Sequence, residues 1–201
     1  VGPPLEGVEV KIAPDGEILV RGELVMHGYW RNDEETARVL KDGWLHTGDV
    51  GLIDEQGRLK ITDRKKDIIV NDKGDNVAPQ KLEGMLTLQP EIAQAMVSGD
   101  KRPYIVGLVV PDQEWLAGWA AEHGVSPELA KLSGNADLHR ALMMAVDRVN
   151  GDLSVIEKVR RIVIADEPFS IDNEQMTPSM KNRRHAIRAV YGDRLDGLYK
   201  A

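Results

Sequence analysis

The 201-residue sequence contains no cysteine. The chain can therefore form neither disulfides nor thiolate metal sites, which is compatible with a reducing compartment. Apolar runs are also short, since none approaches the roughly 18 residues of a membrane-spanning helix. The residues that follow Val1 show no signal-peptide pattern. We expect a cytoplasmic chain without a transmembrane segment, whose only membrane association would be peripheral.

The sequence also lacks an excess of basic residues. Lys and Arg number 26 against 33 Asp and Glu, for a net charge of −7. A dedicated nucleic-acid binder usually carries the opposite balance because it neutralises phosphates, so this class is disfavoured. The length and the 42% of hydrophobic residues fit a soluble globular chain with a core of its own. Repeats and low-complexity segments are absent from the sequence.

Short apolar segments separated by turn residues predict a small β subdomain over residues 1–62. Alternation around Pro-Asp-Gly and around Asp-Glu-Gln-Gly favours two hairpins. Asn32 is placed to cap a short helix that runs to Leu40. The predicted strands are Val8–Ile12, Glu17–Arg21, Leu24–Met26, Val50–Ile53 and Arg58–Ile61.

Five consecutive charged residues, 63–67, follow this subdomain and predict an exposed joint between two apolar segments. Strands and helices alternate from residue 68 to residue 201, which is typical of a compact mixed α/β domain. The predicted strands are 68–70, 93–97, 104–110 and 161–165. One predicted helix starts at Pro79, and three more cover 115–123, 138–149 and 181–191. We therefore expect an α/β (α+β) chain: a β subdomain, a joint and an α/β lid.

Three polar residues are candidates for chemistry. Thr47-Gly48-Asp49 reads as a turn with the Asp49 carboxylate at its tip, where it can accept from both hydroxyls of a cis-diol or serve only as a turn former. Arg64, within the charged run, is a ligand contact or a solvated charge. Lys181 is predicted at a helix start, where the macrodipole disfavours a cation by about 0.3–1 kcal/mol, so either the charge is used or it belongs to a solvated basic face.

Three segments resemble the last signature segments of the acyl-adenylate-forming enzymes, most closely the long-chain fatty acid CoA ligase branch. They read GWLHTGD, GRLKITDRKKDIIV and MTPSMKNRR. The resemblance covers the whole chain but implies a larger N-terminal domain, with a phosphate loop and an acyl tunnel, outside it. Residues 1–62 would then end the adenylating domain, residues 63–67 would be the hinge, and residues 68–201 would be the C-terminal lid.

The resemblance also implies roles for individual residues. Asp49 and Arg64 would bind the ribose of the nucleotide, and Lys66 would be the hinge residue. Lys73 and Gly74 lie in the loop that serves the coenzyme A step, although this loop has one glycine where many relatives have two. Lys181 would bridge the attacking carboxylate and the α-phosphate, and the residue before it is Met180 where many relatives have glycine.

The reaction implied by the resemblance uses a fatty acid, ATP and coenzyme A. Magnesium would be bridged by phosphates and by groups of the missing domain, so no metal ligand is predicted in this chain. We expect this chain alone to be inactive and to hold no cofactor tightly. Two alternatives remain open: an acyl-AMP ligase or amino-acid adenylation enzyme on the same scaffold, and a non-catalytic lid fragment that binds a partner.

Overall fold

The computed structural model describes residues 1–200. The chain forms two compact units, Val1–Ile68 and a second that begins at Ile69. Strands dominate the first unit and alternate with helices in the second, so the mixed α/β class predicted from the sequence is confirmed. Within residues 1–200, no helix is long and apolar enough to cross a membrane.

An antiparallel sheet forms the first unit. Its strands are β1 Val8–Ile12, β2 Glu17–Gly22, β3 Leu40–Lys41, β4 Trp44–Ile53 and β5 Leu59–Arg64, and helix α1 spans Asp33–Val39. The strand order is β1-β2-β4-β3, and β5 also pairs with β4. The two predicted hairpins, β1–β2 and β4–β5, are confirmed. Asn32 caps α1 as predicted, because its side chain accepts a hydrogen bond from the Glu35 N–H at 3.1 Å.

The predicted strand at Leu24–Met26 is wrong. The chain turns there instead, and the Val25 N–H donates to the Gly22 carbonyl at 3.1 Å. Strand β2 already pairs with β1 on one side and β4 on the other, so the short apolar run that follows it finds no neighbour there. Leu24 is consequently 73% exposed.

The predicted turn at Thr47–Asp49 is also wrong, because these residues lie inside β4. Leu19 pairs with His46 and Glu17 pairs with Val50, so three residues of β4 stand opposite one residue of β2. This arrangement is a β-bulge, and Gly48 accommodates it with a φ of +71°. The glycine signal in the sequence was real, but it marks a bulge and not a chain reversal.

The sequence predicts that the whole charged run at 63–67 is exposed, but the structure exposes only part of it. Asp63 is only 2% exposed. Strand β5 continues through the first two charges of the run, and Asp63 pairs in register with Val50 of β4. Only after Arg64 does the chain turn, where the Asp67 N–H donates to the Arg64 carbonyl at 2.9 Å. The exposed part of the joint is therefore shorter than predicted.

The second unit is built on a three-stranded sheet of order β10-β9-β8, in which β8 and β9 are antiparallel and β9 and β10 are parallel. A two-stranded ladder, β6–β7, precedes it. The elements are β6 Ile69–Val70, β7 Asn76–Val77, α2 Pro79–Thr87, β8 Ile92–Ser98, β9 Ile105–Pro111, α3 Gln113–His123, α4 Leu129–Leu132, α5 Ala136–Gly151, β10 Val159–Ile164 and α6 Arg184–Gly197.

The central strand β9 is buried on both faces, and this explains its uninterrupted apolar sequence. Ile105 and Val109 pack into one core cluster together with side chains of α2, α3 and α5. Val106 and Leu108 pack into a second cluster with Ile187, Tyr191 and Leu195 of α6. Helices thus cover the sheet on both sides, and Trp119 of α3 belongs to the first cluster with 8% exposure.

The last helix does not start where the sequence indicated. It was predicted at 181–191 but begins at Arg184 and runs to Gly197. The preceding residues close a hairpin turn, in which the Thr177 N–H donates to the Lys181 carbonyl at 2.8 Å. Met180 adopts a φ of +59° in this turn. Lys181 therefore lies before the helix. The argument that its charge is unfavourable at a helix N-terminus, and must for that reason be functional, does not apply.

Candidate functional site

A buried carboxylate organises the polar site of the first unit. Glu17 is 4% exposed at the start of β2. One oxygen, Oε1, accepts the Gly48 N–H at 2.9 Å, and the other, Oε2, lies 2.9 Å from Lys65 Nζ and 3.0 Å from His46 Nδ1. Burial by itself would raise the pKa of Glu17, but the bonds from His46, Lys65 and Gly48 outweigh it and leave this pKa below its usual value.

Lys65 links this carboxylate to a second one. Its ammonium also lies 2.7 Å from Asp15 Oδ2 in the β1–β2 turn. The hydrogen bond to Asp15 and the bond to Glu17 raise the pKa of Lys65 above its usual value. The backbone of the same residue is fixed as well, because the Lys65 N–H donates to the Gly48 carbonyl at 2.8 Å. Both the side chain and the main chain of Lys65 therefore tie the end of β5 to the rest of the sheet.

Asp49 and Arg64 lie beside this network. They are direct partners in the β4–β5 pairing, and Arg64 Nε lies 2.9 Å from Asp49 Oδ1. The Asp49 side chain is 23% exposed and that of Arg64 is 51% exposed, so both are accessible. The bulge supports Asp49 locally, since its N–H donates to Thr47 Oγ1 at 3.1 Å and that hydroxyl donates to the Ile18 carbonyl.

A pocket of about 690 Å³ opens against these side chains. The predicted residues Asp49, Arg64 and Lys66 all line it, so the structure brings these three together. Apolar groups form part of its wall, and most of its charged lining residues are cationic. The remaining lining residues are Glu17, Met26, Tyr29, Arg38, Val39, Lys41, Leu45, His46, Thr47, Gly48 and Lys65. Such a surface can accept an anion that also presents hydroxyl groups.

The sequence pattern does not indicate Glu17 and Lys65 as parts of this site. Glu17 fits a polar position of an alternating strand, and Lys65 fits one charge of the predicted exposed joint. A signal is present in the sequence, because the consecutive apolar residues Ile18–Val20 break the alternation directly after Glu17. The structure buries Glu17 together with Ile18 and Leu19. A carboxylate that begins a buried stretch needs a partner.

The loop predicted for the coenzyme A step connects β6 to β7 in the second unit. Its tip is exposed at Lys73 and Gly74, and Gly74 has a φ of +89° with open space where a side chain would lie. The loop itself is ordered by Asn71, whose Oδ1 accepts the Lys73 N–H at 2.9 Å and the Asp75 N–H at 2.8 Å. The buried base and the open tip would allow a ligand to approach the backbone closely.

Lys181 is exposed at the end of the turn before α6. Its backbone is held on both sides, since its N–H donates to Thr177 Oγ1 at 3.1 Å and its carbonyl accepts the Thr177 N–H. Asn182 and Arg184 then fasten the segment to β8: Asn182 Nδ2 donates to the Ala95 carbonyl at 2.9 Å, and Arg184 Nη1 donates to the Val97 carbonyl at 3.0 Å. The lysine thus extends from a well-anchored loop.

Acidic and histidine side chains do not gather into a metal site in the part of the chain that the structure describes. Among residues 1–200, no group of three His, Cys, Asp or Glu residues is placed to hold a metal ion.

Comparison with known proteins identifies the family. Residues 66–201 match the family model of the AMP-binding enzyme C-terminal domain. The chain belongs to the AMP-binding enzymes. The long-chain-fatty-acid–CoA ligase FadD15 of Mycobacterium tuberculosis is 39% identical over 201 residues, which are 99% of this chain and 34% of that protein. The human long-chain-fatty-acid–CoA ligase 1 is 38% identical over 189 residues, 92% of this chain and 27% of that protein.

Solved structures agree with this assignment. The A domain of a carboxylic acid reductase from Segniliparus rugosus, in complex with AMP and a co-purified carboxylic acid, is 27% identical and superposes with a TM-score of 0.81 over 98% of this chain and 32% of that chain. The resemblance inferred from the three signature segments is thereby confirmed. The chain spans about a third or less of the length of these relatives.

Proposed function

We propose that this chain is the C-terminal part of a long-chain fatty acid CoA ligase. Such an enzyme activates a fatty acid with ATP to give acyl-AMP and pyrophosphate, and coenzyme A then displaces AMP to give the thioester. The observation that carries the proposal is the Asp49–Arg64 pair on the wall of a pocket whose other charged groups are mostly cationic. The 39% identity to a long-chain ligase supports the substrate class.

Within this proposal, Asp49 accepts hydrogen bonds from the ribose hydroxyls of the nucleotide. Its two oxygens suit a cis-diol, and one of them retains Arg64 as a neighbour. Arg64 orients the carboxylate and adds a second contact on the ribose side. Magnesium would be held by the phosphates of ATP and by residues outside this chain.

Lys181 and Lys66 serve different steps in the proposal. Lys181 places an ammonium where negative charge gathers on the phosphorus oxygens during adenylate formation, which stabilises the transition state. Lys66 is the hinge at which backbone dihedrals absorb a rotation between the two half-reactions, within a boundary segment of residues 63–67. After that rotation, Lys73 and Gly74 would approach the pantetheine arm of coenzyme A.

One specific observation favours a second candidate. The A domain of a carboxylic acid reductase, in complex with AMP and a carboxylic acid, superposes on this chain with a TM-score of 0.81, so the chain also fits an adenylating enzyme that is not a CoA ligase. An acyl-AMP ligase that feeds a carrier protein is such an enzyme. Both candidates perform the same first half-reaction and differ only in the second.

The test uses a full-length protein that contains this chain. Incubation with palmitate and ATP, with and without coenzyme A, should give acyl-CoA and AMP only when coenzyme A is present. Accumulation of acyl-AMP that coenzyme A does not discharge would favour the second candidate. The purified 201-residue chain serves as the control and should release no AMP, because it supplies ribose contacts and a lysine but no phosphate cradle. Robust turnover by that chain alone would contradict the proposal.

A further inference from the structure

We propose that Glu17 is a positioning residue for the nucleotide site: its buried carboxylate holds the two strand segments that present Asp49 and Arg64 to the pocket. The inference rests on the proposed function, because it takes Asp49 as the ribose contact. It adds a residue whose carboxylate is buried at the wall of the pocket and acts through its neighbours.

The carboxylate of Glu17 lies between the two backbone segments that carry Asp49 and Arg64. Glu17 Oε1 accepts the N–H of Gly48, the residue immediately before Asp49, at 2.9 Å. Glu17 Oε2 accepts from Nζ of Lys65, the residue immediately after Arg64, at 2.9 Å. A single side chain therefore fixes the residue preceding one member of the pair and the residue following the other. The Gly48 carbonyl and the Lys65 N–H close the same loop at 2.8 Å.

The bulge explains why a side chain is needed for this task. The β2–β4 ladder is interrupted between the Leu19–His46 and Glu17–Val50 pairs, so Gly48 faces no backbone acceptor on β2. The Glu17 oxygen takes the place of the missing ladder carbonyl. With 4% exposure this carboxylate is shielded from water, and charge-assisted bonds in such a setting are stronger than exposed ones.

The deciding experiment is a double-mutant cycle for ATP affinity in the full-length protein, with Glu17→Gln and Asp49→Ala singly and together. Glutamine keeps the volume of the side chain but removes the charge that holds Lys65. Glu17→Gln should weaken ATP binding about tenfold and raise the KM for ATP while kcat and the KM for the fatty acid stay within about twofold. On the Asp49→Ala background the same change should cost less than about twofold, because the residue through which it acts is gone.

The matched control is Glu9→Gln, which removes an exposed strand carboxylate that pairs with Arg21 and lies outside the pocket. It should leave ATP affinity unchanged. Where Glu17→Gln lowers the melting temperature too far for binding measurements, Lys65→Met replaces it in the cycle, since Lys65 is 45% exposed and its loss leaves Glu17 bound to Gly48 and His46.

The outcomes separate this inference from the function on which it rests. If Asp49→Ala weakens ATP binding and the Glu17 change adds its full cost on top, or has no cost at all, Glu17 does not act through Asp49 and the inference is overturned while the proposed function stands. If Asp49→Ala itself leaves ATP affinity unchanged, the nucleotide role of Asp49 is wrong and the inference falls with it. Loss of the Glu17 effect on the Asp49→Ala background supports the inference.

Discussion

Asp49 and Arg64 face each other as register partners across β4 and β5, and their side chains meet at 2.9 Å. An ion pair with this much exposure contributes only about 0–1 kcal/mol to stability. Its stabilising effect is therefore too small to explain the arrangement. The pair does fix the direction of a carboxylate that would otherwise rotate freely at the wall of the pocket, and orientation of this kind matters for ligand binding.

The first prediction follows from this relationship. Asp49→Ala in a full-length protein should raise the Kd for ATP by at least about tenfold, because each charge-assisted hydrogen bond that it removes is worth about 1.5–3 kcal/mol. Isothermal titration calorimetry measures the change. Asp54→Ala is the matched control, since Asp54 pairs with Arg58 in the β4–β5 turn and does not line the pocket. Equal affinity of Asp49→Ala and the unsubstituted protein would reduce Asp49 to a structural role.

A second prediction concerns the core of the second unit. Leu142 is fully buried on α5, so Leu142→Ala should lower the free energy of unfolding by about 2–5 kcal/mol through lost burial and a residual cavity. Met144, two residues further along the same helix, is 63% exposed, and Met144→Ala should change it by less than about 0.5 kcal/mol. Urea denaturation of both variants of the 201-residue chain gives the comparison. Similar losses for the two would mean that α5 does not pack as described.

Much of the fold could be predicted because local patterns there agree with tertiary packing. The apolar spacing along α5 places one stripe against the sheet, and Pro79 begins α2 where its missing N–H costs nothing. The strands β8 and β9 are apolar, bounded by turn residues and paired as neighbours in sequence. In such segments the local sequence pattern is sufficient to predict the secondary structure.

The site could be predicted only in part, since its key contacts join residues far apart in sequence. Glu17 contacts Gly48 and Lys65 across separations of 31 and 48 residues, and no local sequence pattern around these residues predicts the contacts. The same limit explains Asp63, whose run of charges predicts exposure until the pairing of β5 with β4 buries it. Gly48 and the Thr177–Lys181 turn show that glycine and proline indicate irregular backbone geometry. They do not show whether the irregularity is a bulge, a turn or a helix start.

A third prediction is the pH dependence of the first unit. The folded-state pKa of Glu17 lies below its ordinary value near 4.5, so its contribution to stability is present above that pH and is lost as the pH falls through the folded-state pKa. Urea unfolding can be measured between about pH 6 and about pH 3 from the NMR amide signals of β2 and β4. The free energy of unfolding should fall less on acidification in Glu17→Gln than in the unsubstituted chain. Identical acid profiles would show that Glu17 binds protons equally in both states.

The fourth prediction tests Lys66 as a hinge. The Lys66 N–H makes no hydrogen bond within residues 1–200, so Lys66→Pro removes no backbone bond, but it fixes φ and blocks a rotation there. In the full-length protein, transfer from preformed acyl-AMP to coenzyme A should slow on the order of a hundredfold while adenylate formation stays nearly unchanged. Lys66→Ala leaves φ free and should preserve both steps. A proline variant that retains the full rate of thioester formation would exclude a hinge at this residue.

The fifth prediction separates Lys181 from Lys66 by reversing this pattern. Lys181 is exposed, and its own hydrogen bonds in the turn come from its main chain, so Lys181→Ala should leave the fold intact. If its ammonium acts only on the charge that develops on the phosphoryl group, the variant should slow adenylate formation on the order of a hundredfold or more and leave transfer to coenzyme A nearly intact. Lys200→Ala, another exposed lysine of the second unit, controls for the general loss of a positive charge. Single-turnover measurements of each half-reaction provide the rates, and an equal loss of both halves in the Lys181 and Lys66 variants would mean that neither residue has the separate role assigned to it.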